Sequence, residues 1–230
     1  MIERWWCTLK ISLYSLKGCW KMIFEYISIV FALILLLILF SLHFLKQEFD
    51  PAWRMISEYE IGRYGWLMRI AFFSFGINVL SLMIATWPYL QSINGTICRW
   101  WFVLLVIALF GAGIFKTNPI TDRTPNWINT MHTLCGVIVI LSFPIIATLV
   151  VRSWLYNSLW SANRILLIFG TVLVWIGVIS FFTSITISKI KDSLAGEVGS
   201  PHVYQGWPNR FMVVTYVIWI IIISVTALRL

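Results

Sequence analysis

A chain of 230 residues that is 60% hydrophobic and only 11% charged, with 14 Trp and 16 Phe, is not a soluble domain; such domains carry roughly 25% charged residues. Its net charge of +8 would suit nucleic acid in a soluble protein, but here the basic residues flank apolar runs, so anchoring in a membrane explains them and no nucleic-acid partner is expected. The four cysteines, Cys7, Cys19, Cys98 and Cys135, show no CxxC spacing, which argues against a disulfide framework.

Residues 1–21 read as an amphipathic helix lying in the membrane interface. Trp5, Leu9, Leu13, Leu16 and Trp20 share one face of a helical wheel, with Lys10, Lys17 and Lys21 along its edge. An irregular basic tail is the alternative. The apolar run that follows is too long for a signal peptide and has no small-residue cleavage site after it, so it reads as a retained first span.

Uncharged stretches run from Tyr26 to Leu45, Ile70 to Cys98, Trp100 to Phe115, Thr124 to Val151, Ile165 to Ser188 and Phe211 to Leu228. A spanning helix needs about 20 apolar residues. The expected fold is therefore all-α: a single membrane domain, 22–230, of six transmembrane helices near 22–45, 66–90, 98–116, 127–151, 164–187 and 210–229. Lys and Arg divide almost evenly between the two faces. The N-terminal cluster Arg4, Lys10, Lys17 and Lys21 usually dominates insertion, which predicts an inner-membrane protein with both termini in the cytoplasm. Trp66, Trp127 and Trp207 then mark the outer interface, and Trp87, Trp100, Trp101, Trp154 and Trp160 the inner one.

Seven of the nine acidic residues fall in the first, third and fifth connections: Glu48, Asp50, Glu58, Glu60, Asp122, Asp192 and Glu197. These connections, Lys46–Gly65, Lys116–Asn129 and Lys189–Arg210, are also the long ones, so the working end is expected there. In the first, Asp50 before Pro51 reads as a helix start, followed by an Arg54–Glu58 pair at i,i+4. One reading is a short exposed helix with a surface salt bridge. The other packs Asp50, Arg54, Ser57, Glu58 and Tyr59 against the span ends, because Trp53, Met55 and Ile56 are apolar anchors that a free loop would not need.

In the third connection, Gly111 and Gly113 permit close helix approach, and a Pro-punctuated loop carries Lys116 and Asp122. His132 lies inside the fourth span, where a polar residue is costly and usually faces the bundle interior. The fifth connection, with Gly196, Gly199, Pro201, His202 and Gly206, reads as a flexible cover, and Arg210 begins the last span. Asn94-Gly95-Thr96 matches a glycosylation sequon but faces the cytoplasm in this topology, and reads as a plain turn.

Taken together, Asp50-Pro51-x-x-Arg54-x-x-Ser57-Glu58-Tyr59-x-x-Gly62, the stretch Gly113–Pro119, His132, Gly206-x-x-x-Arg210 and Trp219 resemble the bacterial and archaeal six-span membrane family numbered 998 among domains of unknown function. The likeness covers about Leu42 to Leu230 and implies a six-span bundle, with no reaction attached. Lys116 stands where that family suggests a proline or small residue. A more distant likeness, to the Frag/DRAM/Sfk group, rests on Ser57-Glu58 and the later histidine.

Two functional classes use these residues differently. As a binding protein, Arg54, Arg63, Lys116, Arg123 and Arg210 would hold a lipid headgroup or other anion, with Glu58 and Asp122 orienting them. As a hydrolase or transferase acting on lipid, Ser57, His132 or His202 and an acid would assemble for acyl transfer, or a histidine with carboxylates would hold a metal. A bis-histidine haem has only His43 and His132 as a pair. No spacing commits the chain to a metal or cofactor. Membrane lipid is the expected ligand, and a structural subunit with a membrane-protein or homo-oligomeric partner is the third class.

Overall fold

The computed structural model describes residues 2–122, 124, 126–154, 158–195 and 204–229. Six helices are long and apolar enough to cross a membrane, and the described residues contain no strand. They are α1 (Ile2–Leu45), α2 (Gly65–Thr86), α3 (Ile93–Ile114), α4 (Trp127–Trp154), α5 (Arg164–Ala195) and α6 (Gly206–Leu228). Each packs on the next, and α6 returns to α1, so the bundle closes into a ring. It is an integral membrane protein of six spans.

The pattern on α1 shows how such a helix is built. Ala32, Leu35, Leu39 and Leu42 are buried at helical spacing, while Leu33, Leu37, Phe40 and Phe44 face outward and are more than half exposed. Both faces are apolar, because lipid is as apolar as leucine; close packing and interhelical hydrogen bonds hold the bundle instead. The Tyr216 hydroxyl donates to the Ile140 carbonyl at 2.8 Å, and its ring stacks on Phe143 at 4.2 Å. A Cβ on Gly111 would come within 2.6 Å of Cys135 Sγ, so this glycine sets the close approach of α3 to α4, as its position in the sequence suggested.

Several boundaries differ from expectation. The proposed interfacial helix and first span form one unbroken helix, Ile2–Leu45; the side chains of the expected amphipathic face, Trp5 to Leu16, lie outside the described residues. Asn94-Gly95-Thr96 is not a turn but the first turn of α3, because the Ser92 hydroxyl caps that helix by accepting from Gly95 N at 3.1 Å. Helix α5 continues two turns past Ile187. Trp154 and Trp160 do not form an interfacial belt: both are buried and stack on one another at 3.6 Å.

Glu25, one of the two acidic residues outside the long connections, lies five residues into the first spanning segment and is fully buried. Neither of its carboxylate oxygens has a partner. One turn further on, Ser28 donates to Asn78 Oδ1 and Ser224 donates to Ser28, both at 3.3 Å, forming a polar seam between α1, α2 and α6.

Candidate functional site

The first connection is folded down onto the helix ends. Asp50 does not start a helix: its Oδ1 accepts from Ala52 N at 2.9 Å, its carbonyl accepts from Arg54 N, and the chain makes a single turn. A short 3-10 helix, Ile56–Glu60, follows. Within it Ile56, Glu58, Tyr59 and Glu60 are buried, which is the packed alternative rather than the exposed helix.

Two buried carboxylates tie this segment to the third connection. Glu58 accepts from Met55 N at 2.9 Å and from Ile120 N at 2.7 Å, and pairs with Arg54 at 3.1 Å. Glu60 accepts from Arg69 Nε at 2.8 Å and from Thr117 N at 3.3 Å. Burial pushes the Glu58 carboxyl above the ordinary glutamate value; the amide of Ile120, the charge of Arg54, the amide of Met55 and the charge of Arg210 pull it back. Lys46 closes the other flank, donating to the Ile61 carbonyl and pairing with Glu48 at 3.5 Å.

Arg210 ties the same segment to α6. Its Nη1 donates to the carbonyls of Pro51, Arg54 and Gly206, its Nη2 to the Tyr59 hydroxyl at 2.8 Å, and its Nε to His43 Nε2 at 2.8 Å. His43 Nδ1 lies 2.7 Å from the Leu39 carbonyl, which can only accept. The Nδ1 therefore carries the proton, and Nε2 is free to accept from Arg210. Of the expected flexible cover, Gly196, Gly199, Pro201 and His202 lie outside the described residues, while Gly206 begins α6, where a Cβ would meet the Pro51 carbonyl oxygen at 2.3 Å. Only glycine lets the two segments touch this closely.

Beneath this cap is a cavity of about 320 Å³ with walls from all six helices, lined by Leu35, Phe72, Phe75, Phe181, Met212 and other apolar side chains. Apart from the Tyr216 hydroxyl, which is spent on the Ile140 carbonyl, its polar groups, Ser57, Thr117, His132, Thr133 and Asn209, belong to the end where the long connections lie. His132 Nδ1 donates to the Phe115 carbonyl at 2.7 Å. In the neutral ring this leaves Nε2 as a bare acceptor. Asn209 Oδ1 accepts from Ile56 N at 3.0 Å, which leaves its amide hydrogens unspent. Val137 and Phe182 line the cavity and are both more than 40% exposed, so it opens sideways between α4 and α5. A wider apolar groove of about 550 Å³ along the same pair of helices shares Phe182.

The candidate residues thus separate into groups. Ser57 and His132 line the cavity. Arg54, Glu58, Tyr59 and Arg210 are consumed in the cap. Asp50 and Lys116 are exposed, and Asp122 is a surface residue held below the usual carboxylate range by its hydrogen bonds from Thr124. His202 and Arg123 lie outside the described residues. His132, Glu58 and Asp122 therefore do not converge. A Ser-His-acid arrangement would need a carboxylate on His132 Nδ1, and the group there is a backbone carbonyl. Both nitrogens of His43 are already bonded, so it has no lone pair for a haem iron. Among the described residues, no three His, Cys, Asp or Glu gather as metal ligands. Thr117, Thr133 and Asn209 escaped sequence reasoning because small polar residues near a span end carry no distinguishing pattern.

A six-span membrane bundle whose long connections cap an apolar, side-opening cavity is the class of protein that this arrangement defines. The chain belongs to the family described as Protein of unknown function (DUF998), whose profile matches residues 29–226, from the first span to the last. No curated protein and no solved structure matches it.

Proposed function

We propose that the protein binds a lipid or other amphiphile in this cavity, with the polar end in the outer leaflet of the inner membrane and both termini in the cytoplasm. The observation that carries the reading is an apolar cavity with a few polar groups gathered at one end, which suits a ligand with a greasy tail and a small head. Ligand sites of about 300–1,000 Å³ commonly have this mixture of apolar walls and few polar groups. The hydrophobic lining is matched to membrane lipid, and the fixed cap above it excludes water.

Native mass spectrometry of gently extracted protein tests this. A retained lipid is expected on the parent. Gly136 lines the cavity, and a Cβ built there meets nothing within 4 Å, so Gly136→Leu adds bulk with no backbone clash and should remove that lipid. Equal lipid on both proteins, or none on the parent, overturns the reading. A stoichiometric metal in the same spectrum would favour a hydrolase.

Orientation is tested separately. Thr121 and Gln91 are exposed in connections at opposite ends of the bundle. In intact cells a membrane-impermeant maleimide should label Thr121→Cys and leave Gln91→Cys unlabelled; the reverse pattern would invert the topology.

A further inference from the structure

Among the described residues no Lys, Arg, Asp or Glu lines the cavity, although Lys46, Arg54, Glu58, Glu60 and Arg210 are buried or half-buried in the cap. Each of the five makes contacts within the cap, and of their buried side-chain nitrogens and oxygens only Nε of Arg54 lacks a hydrogen-bond partner. Arg54 pairs with Glu58 and lies over the rings of Phe49 and Trp53 at 4.8 and 4.7 Å. Glu58 and Glu60 are held by backbone amides and arginines. Arg210 spends its donors on three carbonyls, a hydroxyl and an imidazole, and Lys46 is turned to Ile61 and Glu48. Among the described residues, neither an anionic nor a cationic headgroup would meet a charged side chain lining the cavity. Placing either in an apolar cavity without a counter-charge is strongly unfavourable.

What remains is a set of neutral hydrogen-bonding groups. His132 Nε2 is an acceptor, because Nδ1 gives its proton to Phe115. The amide hydrogens of Asn209 are donors, because Oδ1 is taken by Ile56 N. Thr117 and Thr133 have already donated their hydroxyl protons to the carbonyls of Asn118 and Asn129, so they offer oxygen lone pairs only. Ser57 donates or accepts. The complement of this set is a head with at least one hydroxyl to donate and one carbonyl to accept.

Resting on the amphiphile reading of the same cavity, we propose that its ligand is an uncharged lipid bearing a free hydroxyl and an ester carbonyl, that is, an acylglycerol. The hydroxyl donates to His132 Nε2, and the ester carbonyl accepts from Asn209 Nδ2 or the Ser57 hydroxyl. A volume near the lower end of the usual ligand range takes one chain inside. A second chain, where present, passes out through the opening between α4 and α5.

The test compares monoolein, oleate and a lysophosphatidylglycerol as probes added to purified protein in detergent and counted by native mass spectrometry. Monoolein should bind at least tenfold more tightly than either anion. His132→Phe should weaken monoolein about tenfold, the loss of one hydrogen bond. Because His132 also supports Phe115, Ser57→Ala, whose hydroxyl makes no hydrogen bond among the described residues, serves as the second variant and should weaken monoolein severalfold. Tighter binding of oleate or the lysolipid, abolished by Gly136→Leu, overturns the acylglycerol assignment while leaving an amphiphile site. Monoolein binding indifferent to both His132→Phe and Ser57→Ala overturns the assigned contacts. No binding of any probe ends the amphiphile reading itself.

Discussion

Replacing Arg210 with methionine should lower the melting temperature of the detergent-solubilised protein by about 10 °C. Methionine keeps much of the volume but donates nothing, and it abandons the carbonyls of Pro51, Arg54 and Gly206, the Tyr59 hydroxyl and His43 Nε2 at once. Buried groups stripped of a partner cost about 1–3 kcal/mol each, and not all of these stay dry once the cap loosens. A net loss of about 3–5 kcal/mol corresponds to the stated shift for a chain of this size. Arg210→Lys should recover little, since one ammonium cannot reach both the imidazole and the tyrosine as the guanidinium fork does. Scanning fluorimetry of the three proteins decides it. A methionine variant that melts with the parent would mean that these bonds do not hold the cap.

The Arg54–Glu58 pair should show a coupling of about 2 kcal/mol in a double-mutant cycle to alanine, measured by detergent unfolding. An exposed i,i+4 pair contributes only about 0.2–0.5 kcal/mol. The difference is burial: the Glu58 side chain is 2% exposed and that of Arg54 12%. Glu58→Ala alone should cost more than Arg54→Ala, about 3 against 2 kcal/mol, because it also releases the amides of Met55 and Ile120. A coupling of a few tenths would restore the surface-bridge description.

The spans were legible because a bilayer demands long uncharged runs, and little else in a sequence produces six of them. Their ends were less so. Helix α6 starts at Gly206, although Gly206-Trp207-Pro208 looks like loop; proline in the first helical turn is a start signal as much as a breaker. The Arg54–Glu58 spacing revealed a pair but not its burial, which depends on Ile120, 62 residues away from Glu58. His132 was identifiable from the cost of a histidine in a span. Arg210 stood at the start of the last span as a candidate headgroup contact, and only the fold shows it turned onto Pro51, Arg54, Tyr59 and His43. The cavity itself has no sequence signature: its walls are ordinary leucines and phenylalanines, and emptiness arises from which faces of six helices meet.

The sideways opening between α4 and α5 has a consequence for how the site would be supplied. The roof is bolted to α6 through Gly206 and Arg210 and to the third connection through Glu58 and Glu60, so loading from the aqueous side would require unbuilding the cap. A ligand arriving between α4 and α5 stays in the hydrocarbon throughout. Its effective concentration is then its mole fraction in the leaflet, not its vanishing solubility in water. Under the proposed function a weak intrinsic affinity would suffice, and occupancy would follow the composition of the surrounding membrane.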